Sequence, residues 1–159
     1  MALATTTLEL PVLGSVTLEA SESGLRRVTV GEADETSSSA PGPAAQLVER
    51  AARELEEYVA GRRREFTVPL DLKGTDFQQA VWRSLVAVPY GETRSYADIA
   101  REVGRPTAAR AVGAAVGANP LCVVVPCHRI VGSNGSLTGF AHGLEMKRRL
   151  LEIEGMIGG

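Results

Sequence analysis

Along residues 5–30 apolar and polar side chains alternate with the two-residue period of a strand. Three such runs, 5–10, 15–20 and 25–30, are separated by Gly14 and by the turn-rich segment 21–24. Alternation puts every second side chain on one face, so the pattern predicts a small antiparallel meander. The next stretch, 31–43 (GEADETSSSAPGP), is polar and rich in Ser, Pro and Gly, and predicts a loop. Over 44–60 the period lengthens to that of a helix. Leu47, Ala51, Leu55 and Tyr58 fall on one stripe, and Gly61 ends it. Residues 64–72 return to a strand-like composition interrupted by Pro69.

A different texture begins near Gly74. Thr75 and Gln78 have the spacing of a capping box ahead of an amphipathic helix carrying Phe77, Val81, Leu85 and Val88, which Pro89, Tyr90 and Gly91 close. Ser95 and Asp98 repeat the capping signature before a short helix reaching Arg101. Gly104 and Pro106 mark a turn, with Pro106 suited to the first turn of a helix running to about Ala118. That last helix is built of small residues: Ala108, Ala109, Ala111, Gly113, Ala114, Ala115 and Gly117. Helix, glycine-containing turn, helix is the helix-turn-helix pattern, and equally that of a packed helical hairpin. An apolar run, 121–125, leads as a short strand into Pro126. A glycine-rich loop over 132–143 precedes a final helix over 144–154, with Leu144, Met146, Leu150, Leu151 and Ile153 apolar.

Composition narrows the function classes. The chain has 159 residues, and no run approaches the roughly 18 apolar residues of a membrane helix. No signal-peptide pattern opens it, so a cytoplasmic location is expected. Two cysteines and two histidines are too few for a disulfide framework or a structural zinc site, and neither a metal nor a cofactor is expected. The net charge of −2 is divided unevenly: residues 1–74 carry 8 basic and 12 acidic side chains, residues 75–159 carry 9 and 7. Any contact with nucleic acid is therefore expected to be local and to lie in the C-terminal half.

The residue with chemistry to offer is Cys127. A thiol becomes a nucleophile as its thiolate, and an unperturbed cysteine is only a few per cent ionised at pH 7. His128 and Arg129 follow it, and basic neighbours raise that fraction. Against this stands a plainer alternative: an inert cysteine filling a small space in the core. On an extended segment, moreover, adjacent side chains point to opposite sides. Cys122 has no basic neighbours, and the plainer alternative serves it better.

Pro126–Cys127–His128–Arg129–Ile130 resembles the active-site signature of the O6-alkylguanine-DNA alkyltransferases, the methylated-DNA–protein-cysteine methyltransferases. The resemblance runs from about Phe77 to Gly155 and includes VPYGETRSYADIA, PTAARAVGAA, the NP pair at 119–120, PCHRIV and GLEMKRRLLEIEG. Five segments in family order and spacing are highly specific. Upstream, only LGSVTLEASESGLRRV is loosely similar.

The resemblance implies a winged helix-turn-helix that enters the minor groove and flips a damaged nucleotide into a pocket, at a cost of unstacking. It implies Cys127 as alkyl acceptor, His128 as the base that draws off the thiol proton through a water, and Glu154 as the carboxylate orienting that histidine. Tyr96 corresponds to the tyrosine that turns the phosphate and bonds the guanine ring, and Arg110 to the arginine that fills the vacated stack. Asn119 braces the turn before the cysteine. The carbonyls of Cys127 and Ile130 read the guanine amino group, and the N–H of Ala141 meets O6. Ala97, Arg105 and Ser133 touch the DNA backbone, while Arg129 and Phe140 are counted with the residues contacting DNA or base. Departures from the family pattern at Cys122, Phe140, Ala141 and His142 alter the pocket wall but leave the transfer chemistry in place.

The expected architecture is an α/β N-terminal domain with a small antiparallel sheet over 1–73. A mainly α C-terminal domain over 74–159 follows, carrying the winged helix-turn-helix and the alkyl acceptor. The expected partner is alkylated double-stranded DNA and not a membrane. The expected working form is a monomer, with cooperative assembly on DNA left open. The expected reaction is a single irreversible alkyl transfer per molecule. Three rivals rank lower: a cysteine hydrolase, which needs no Tyr96 or Arg110; a non-catalytic lesion binder, which needs no Cys127; and a transcription regulator, for which a small-residue helix offers few base-reading side chains.

Overall fold

A computed structural model of the chain describes residues 3–31, 42–132 and 143–155. Its contacts divide the chain into two units, Met1–Lys73 with Pro120–Cys122, and Gly74–Asn119 with Val123–Gly159.

The first unit is a three-stranded antiparallel sheet under one helix. Strands β1 (Ala4–Leu10), β2 (Gly14–Ala20) and β3 (Leu25–Val30) pair in chain order, with Ala4 opposite Ala20 and Val16 opposite Val30. The alternation buries Ala4 and Leu10, then Val16, Leu18 and Ala20, then Leu25 and Val28. Helix α1 (Pro43–Val59) covers that face with Ala44, Val48, Ala51, Leu55 and Tyr58. Of the expected stripe Ala51, Leu55 and Tyr58 are buried, while Leu47 is half-exposed and its neighbour Val48 takes the buried place. Each fully buried side chain of this size contributes about 1.5–3 kcal/mol.

Residues 64–72 do not form the strand their composition predicts, and the reason is Glu54. Its buried carboxylate accepts from the N–H of Thr67 (2.9 Å) and of Val68 (3.1 Å) and from the Thr67 hydroxyl (2.5 Å). Those donors are thereby withdrawn from a sheet ladder. Burial works to raise the Glu54 pKa, but the hydrogen bonds and the charge of Arg63 outweigh it and the pKa is lowered. What remains of strand pairing is a parallel bridge from Leu25 to Leu70. At this crossing a Cβ on Gly24 would lie 2.6 Å from the Pro69 carbonyl oxygen, so only glycine fits. The chain also returns at Pro120–Cys122, where the Val28 N–H donates to the Pro120 carbonyl at 2.9 Å.

The second unit is mainly helical. Helix α2 (Asp76–Val86) starts with the capping box, the Gln78 N–H donating to Thr75 Oγ1 at 3.1 Å and the Thr75 N–H to Gln78 Oε1 at 3.0 Å. Val81, Trp82 and Leu85 are its buried face; Trp82, absent from the expected stripe, is the largest of them. A two-residue strand, β4 (Arg94–Ser95), runs into α3 (Tyr96–Glu102), whose N-terminus is closed by the second capping box, Ser95 with Asp98. After Gly104 the chain turns into α4 (Ala109–Gly117). Pro106 precedes the capping residue Ala108, so it lies in the turn and not in the first helical turn. Helices α3 and α4 pack together as the helix-turn-helix. Trp82 Nε1 ties α2 to α4 by donating to the Ala115 carbonyl at 2.9 Å. A single turn of 3-10 helix, Cys127–Arg129, leads into β5 (Ile130–Val131), which pairs in parallel with β4, and α5 (Leu144–Ile153) follows. No helix among the described residues is long and apolar enough to cross a membrane.

Candidate active site

The residues around Cys127 are placed by turns and not by a strand. The run over 121–125 is apolar and buried as expected, but it turns, with Val123 at φ +76°. For a β-branched residue that backbone is strained, at a cost on the order of 1–3 kcal/mol. Two bonds hold it. The Asn119 side-chain amide donates to the Val125 carbonyl at 2.9 Å, closing the loop from behind. The Cys127 N–H donates to that same carbonyl at 2.7 Å. Cys127 opens the 3-10 turn, which the Arg129 N–H closes on the Pro126 carbonyl. In a 3-10 helix successive side chains diverge by about 120°, so His128 and Arg129 need not oppose one another as they would on a strand.

Both of them reach Glu154, which caps the end of α5. His128 is fully buried, and its Nε2 lies 2.7 Å from Glu154 Oε2. Arg129 grips the same carboxylate twice, Nε to Oε1 at 2.9 Å and Nη2 to Oε2 at 3.0 Å. Its Nη1 donates to the Val88 carbonyl at 2.7 Å. The Gly91 N–H supplies a further donor to Oε1 at 3.1 Å. A carboxylate surrounded by donors is an acceptor, so the histidine proton belongs on Nε2 and the lone pair of the neutral ring on Nδ1. Burial pushes the His128 pKa below 6.5; Glu154 opposes this, and Arg129 and Lys147 add to it. The ring is therefore neutral at pH 7, the state a base beside a thiol requires.

Arg129, expected among the residues that contact DNA or base, is turned inward. It is 6% exposed, committed to Glu154 and Val88, and its guanidinium lies 5.6 Å from the Tyr90 ring centroid. It holds the carboxylate that His128 also meets. Ile130 is buried, its carbonyl oxygen accepting from Lys147 Nζ, and the Cys127 carbonyl accepts from the Ile130 N–H. A carbonyl has two lone pairs, so each oxygen keeps capacity for a second donor.

The helix-turn-helix places the remaining candidates. Tyr96 is the first residue of α3, half-buried, with its ring 3.9 Å from the position a Cβ would take on Gly113 of α4. Arg110 is exposed near the start of α4, on a face it shares with Ala111, Ala114, Gly117 and Ala118. Arg105 is exposed with its guanidinium over the Phe77 ring at 5.2 Å. Ala97 lines a surface depression of about 400 Å³ together with Arg94, Arg101 and Gly132. Ser133, Phe140, Ala141 and His142 lie outside the described residues.

Three contributors escape the expected set: Lys147, Tyr90 and Gly91. Tyr90 donates from its hydroxyl to the Ile153 carbonyl at 3.1 Å, and with Gly91 it fastens the end of α2 to the end of α5. For Lys147 a signal was present. The buried positions of α5 and its cap are Lys147, Leu150, Leu151 and Glu154, an i, i+3, i+4, i+7 series with a charge at each end, whereas Leu144 is 48% exposed.

Fold and site together define a small two-unit protein in which a helix-turn-helix and a buried cysteine, followed in the chain by a histidine and an arginine that share one buried carboxylate, lie in one unit. Two family models match: the DNA-binding domain of 6-O-methylguanine DNA methyltransferase over residues 76–156, and its ribonuclease-like domain over 3–72. The chain belongs to that family. The inducible methylated-DNA–protein-cysteine methyltransferase of Bacillus subtilis is 55% identical over 103 residues, 65% of this chain and 58% of that protein. The Mycobacterium bovis protein is 57% identical over 104 residues, 65% of this chain and 63% of its own length. The chain thus spans about three-fifths of these two relatives. The Methanosarcina acetivorans relative is 50% identical over 110 residues, 69% of this chain and 70% of that protein. Among solved structures, Mycobacterium tuberculosis O6-methylguanine methyltransferase superposes with a TM-score of 0.81 at 42% identity, covering 96% of this chain and 93% of that one. A structure of the Mycobacterium tuberculosis protein in complex with DNA gives 0.83 at 45% identity, covering 94% and 91%.

Proposed function

We propose that this protein repairs double-stranded DNA by moving an alkyl group from O6 of guanine to Sγ of Cys127, once per molecule. The observation that carries the reading is the 2.7 Å contact between His128 and Glu154, fully buried immediately after Cys127 in a unit that also presents a helix-turn-helix. The reaction balances simply. The thiol proton passes toward His128 Nδ1 through a water. The thiolate attacks the alkyl carbon, the S–C bond forms as the C–O6 bond breaks, and the guanine leaves and takes up a proton. A thioether has no leaving group that water can displace at an ordinary rate, so the acceptor is consumed.

In this reading the exposed face of α4 enters the minor groove, where short side chains let the backbone approach. Arg110 fills the place of the flipped nucleotide, and Tyr96 turns the phosphate and meets the base. The Cys127 and Ile130 carbonyls accept from the guanine amino group. Ala97, Arg105 and Ser133 contact the backbone, while Ala141 and Phe140 form the pocket wall. Residues 1–73 support the fold, and residues 74–159 carry DNA binding and chemistry. O4-alkylthymine, which carries the same alkyl–oxygen bond, is left open as a second substrate. A nucleophile of this kind persists only where thiols are kept reduced, which favours the cytoplasm.

The test is intact-protein mass after mixing with a duplex containing one O6-methylguanine, with Cys127→Ala in parallel. Gain of a single methyl mass by the unaltered protein alone, mapping to Cys127 and saturating at one per molecule, is the expected result. Turnover without mass gain would indicate a hydrolase. Tight lesion binding without transfer would indicate a recognition protein, and either would overturn the reading.

A further inference from the structure

The bend that delivers Cys127 is tighter than a β-turn. Pro126 is buried, with φ −79° and ψ +67°. Those are the angles of an inverse γ-turn, whose central residue sits at about −75° and +65°. The Cys127 N–H closes the turn by donating to the Val125 carbonyl at 2.7 Å. Proline suits the place for two reasons. Its ring confines φ to about −65 ± 15°, a range that includes the angle found. It also lacks an N–H, so the buried peptide between Val125 and Pro126 presents only its carbonyl. That oxygen accepts twice, from the Cys127 N–H and from the Asn119 side-chain amide at 2.9 Å. Beyond the bend the Arg129 N–H donates to the Pro126 carbonyl at 3.0 Å, and the Ile130 N–H to the Cys127 carbonyl. Every backbone polar group from the Val125 carbonyl to the Cys127 carbonyl is thus engaged. The Cα–Cβ bond of Cys127 has a fixed direction, and only rotation about it is left to the thiol.

We propose that Pro126 is a positioning residue for the alkyl transfer: its γ-turn aims Sγ of Cys127 along the line of the bond to be broken. The proposal rests on Cys127 being the nucleophile. Displacement at the alkyl carbon is directional, because sulfur must enter opposite the departing O6. The reacting atoms need to stand about 3–3.5 Å apart beforehand, and a misplacement of about 1 Å costs on the order of a hundredfold in rate. A guanine held in a pocket cannot turn to meet the sulfur, so the sulfur has to be aimed in advance. Alanine at 126 would release the ring's hold on φ, and glycine would open positive φ as well. Pro126 has no charge and no titratable group. It therefore acts on direction alone and leaves ionisation of the thiol to other groups.

The experiment compares the unaltered protein with Pro126→Ala and Pro126→Gly. Methyl transfer from a duplex containing one O6-methylguanine is followed in single turnover against protein concentration, which separates the half-saturating concentration from the rate at saturation. Alkylation of Cys127 by iodoacetamide, in which the S–C bond forms and iodide leaves, is measured in parallel against pH. A small reagent free in solution comes to the thiol from whatever side the thiol presents. The saturating transfer rate is expected to fall in the order proline, alanine, glycine, by at least about tenfold for Pro126→Gly, with the half-saturating concentration and the iodoacetamide rate within about twofold. The pH midpoint of the iodoacetamide reaction is expected to stay where it is. An unchanged saturating rate overturns the proposal. So does an iodoacetamide rate or midpoint that shifts as far as the transfer rate does, which would reduce Pro126 to packing or to thiol ionisation. Should neither variant fold, the unaltered protein still decides. Before DNA is added its Cys127 amide is expected to have an NMR order parameter of about 0.85, that of rigid backbone, and a value below about 0.6 overturns the proposal. Equal transfer rates in all three proteins would sink the aiming role alone. No transfer by the unaltered protein would sink the alkyl-transfer reading beneath it.

Discussion

Glu154 spends both of its oxygens inside the protein, on His128, twice on Arg129, and on the Gly91 N–H. Its charge is therefore structural before it is catalytic. Replacing it by glutamine leaves the Arg129 guanidinium buried without a carboxylate, and breaking such a pair from one side costs about 3–5 kcal/mol. A melting temperature lower by roughly 10 °C is expected for Glu154→Gln by calorimetry, together with slower methyl transfer. His128 gives a pH prediction whose sign follows from its buried, neutral ring. Its folded pKa lies below the 6.5 of the unfolded chain, so between those values the unfolded chain binds a proton that the folded one refuses. Its contribution to stability is complete above about pH 6.5 and is lost as pH falls through the folded value. Urea midpoints measured from pH 7.5 to 5 should fall, and His128→Gln should flatten that slope; an equal slope in both proteins would contradict the assignment.

At the scale of elements, α4 separates its two jobs by face. Val112, Ala115 and Val116 are buried, while Arg110, Ala111, Ala114, Gly117 and Ala118 lie open. Ala114 is exposed, and a glutamate in its place would put a carboxylate against DNA phosphates. Ala114→Glu is expected to keep its thermal midpoint and lose at least about tenfold in affinity for duplex DNA by fluorescence anisotropy. Helix α2 offers a control of the opposite kind. Its capping box satisfies two backbone groups at the helix start, and Thr75→Ala should lower stability by about 1 kcal/mol in denaturant titration without changing the stoichiometry of methyl transfer.

For the whole molecule, a net charge of −2 sets the style of DNA binding. Attraction must come from a few local cations: Arg94, Arg101, Arg105 and Arg110 stand on or beside the helix-turn-helix, and the first two are already engaged with Glu92 and Asp98. Were all four to meet phosphates, the logarithm of affinity would fall with the logarithm of salt at a slope of about −4. A shallower slope is expected, read by titrating duplex binding between low and physiological salt. A markedly steeper slope would require cations elsewhere on the molecule.

Much of this protein was legible in its sequence because the signals are local. Strand alternation over 5–30, the two capping boxes and the small-residue helix depend on neighbours a few positions apart, and each appears where the spacing puts it, but for the start of that helix, which falls at Ala109, beyond Pro106. Five short segments in family order and spacing, the one from Pro126 to Ile130 among them, carried the family. What the sequence left undecided turns on partners distant along the chain. Residues 64–72 look like a strand until Glu54, a helix away, takes their donors. Arg129 reads as a cation for DNA until Glu154, 25 residues on, draws it inside. Lys147 reads as the polar side of a helix until the fold closes over it. Local order follows from propensity and period, which the sequence states outright. The fate of a charge depends on which opposite charge the fold brings within a few ångströms, and that is a property of the tertiary structure.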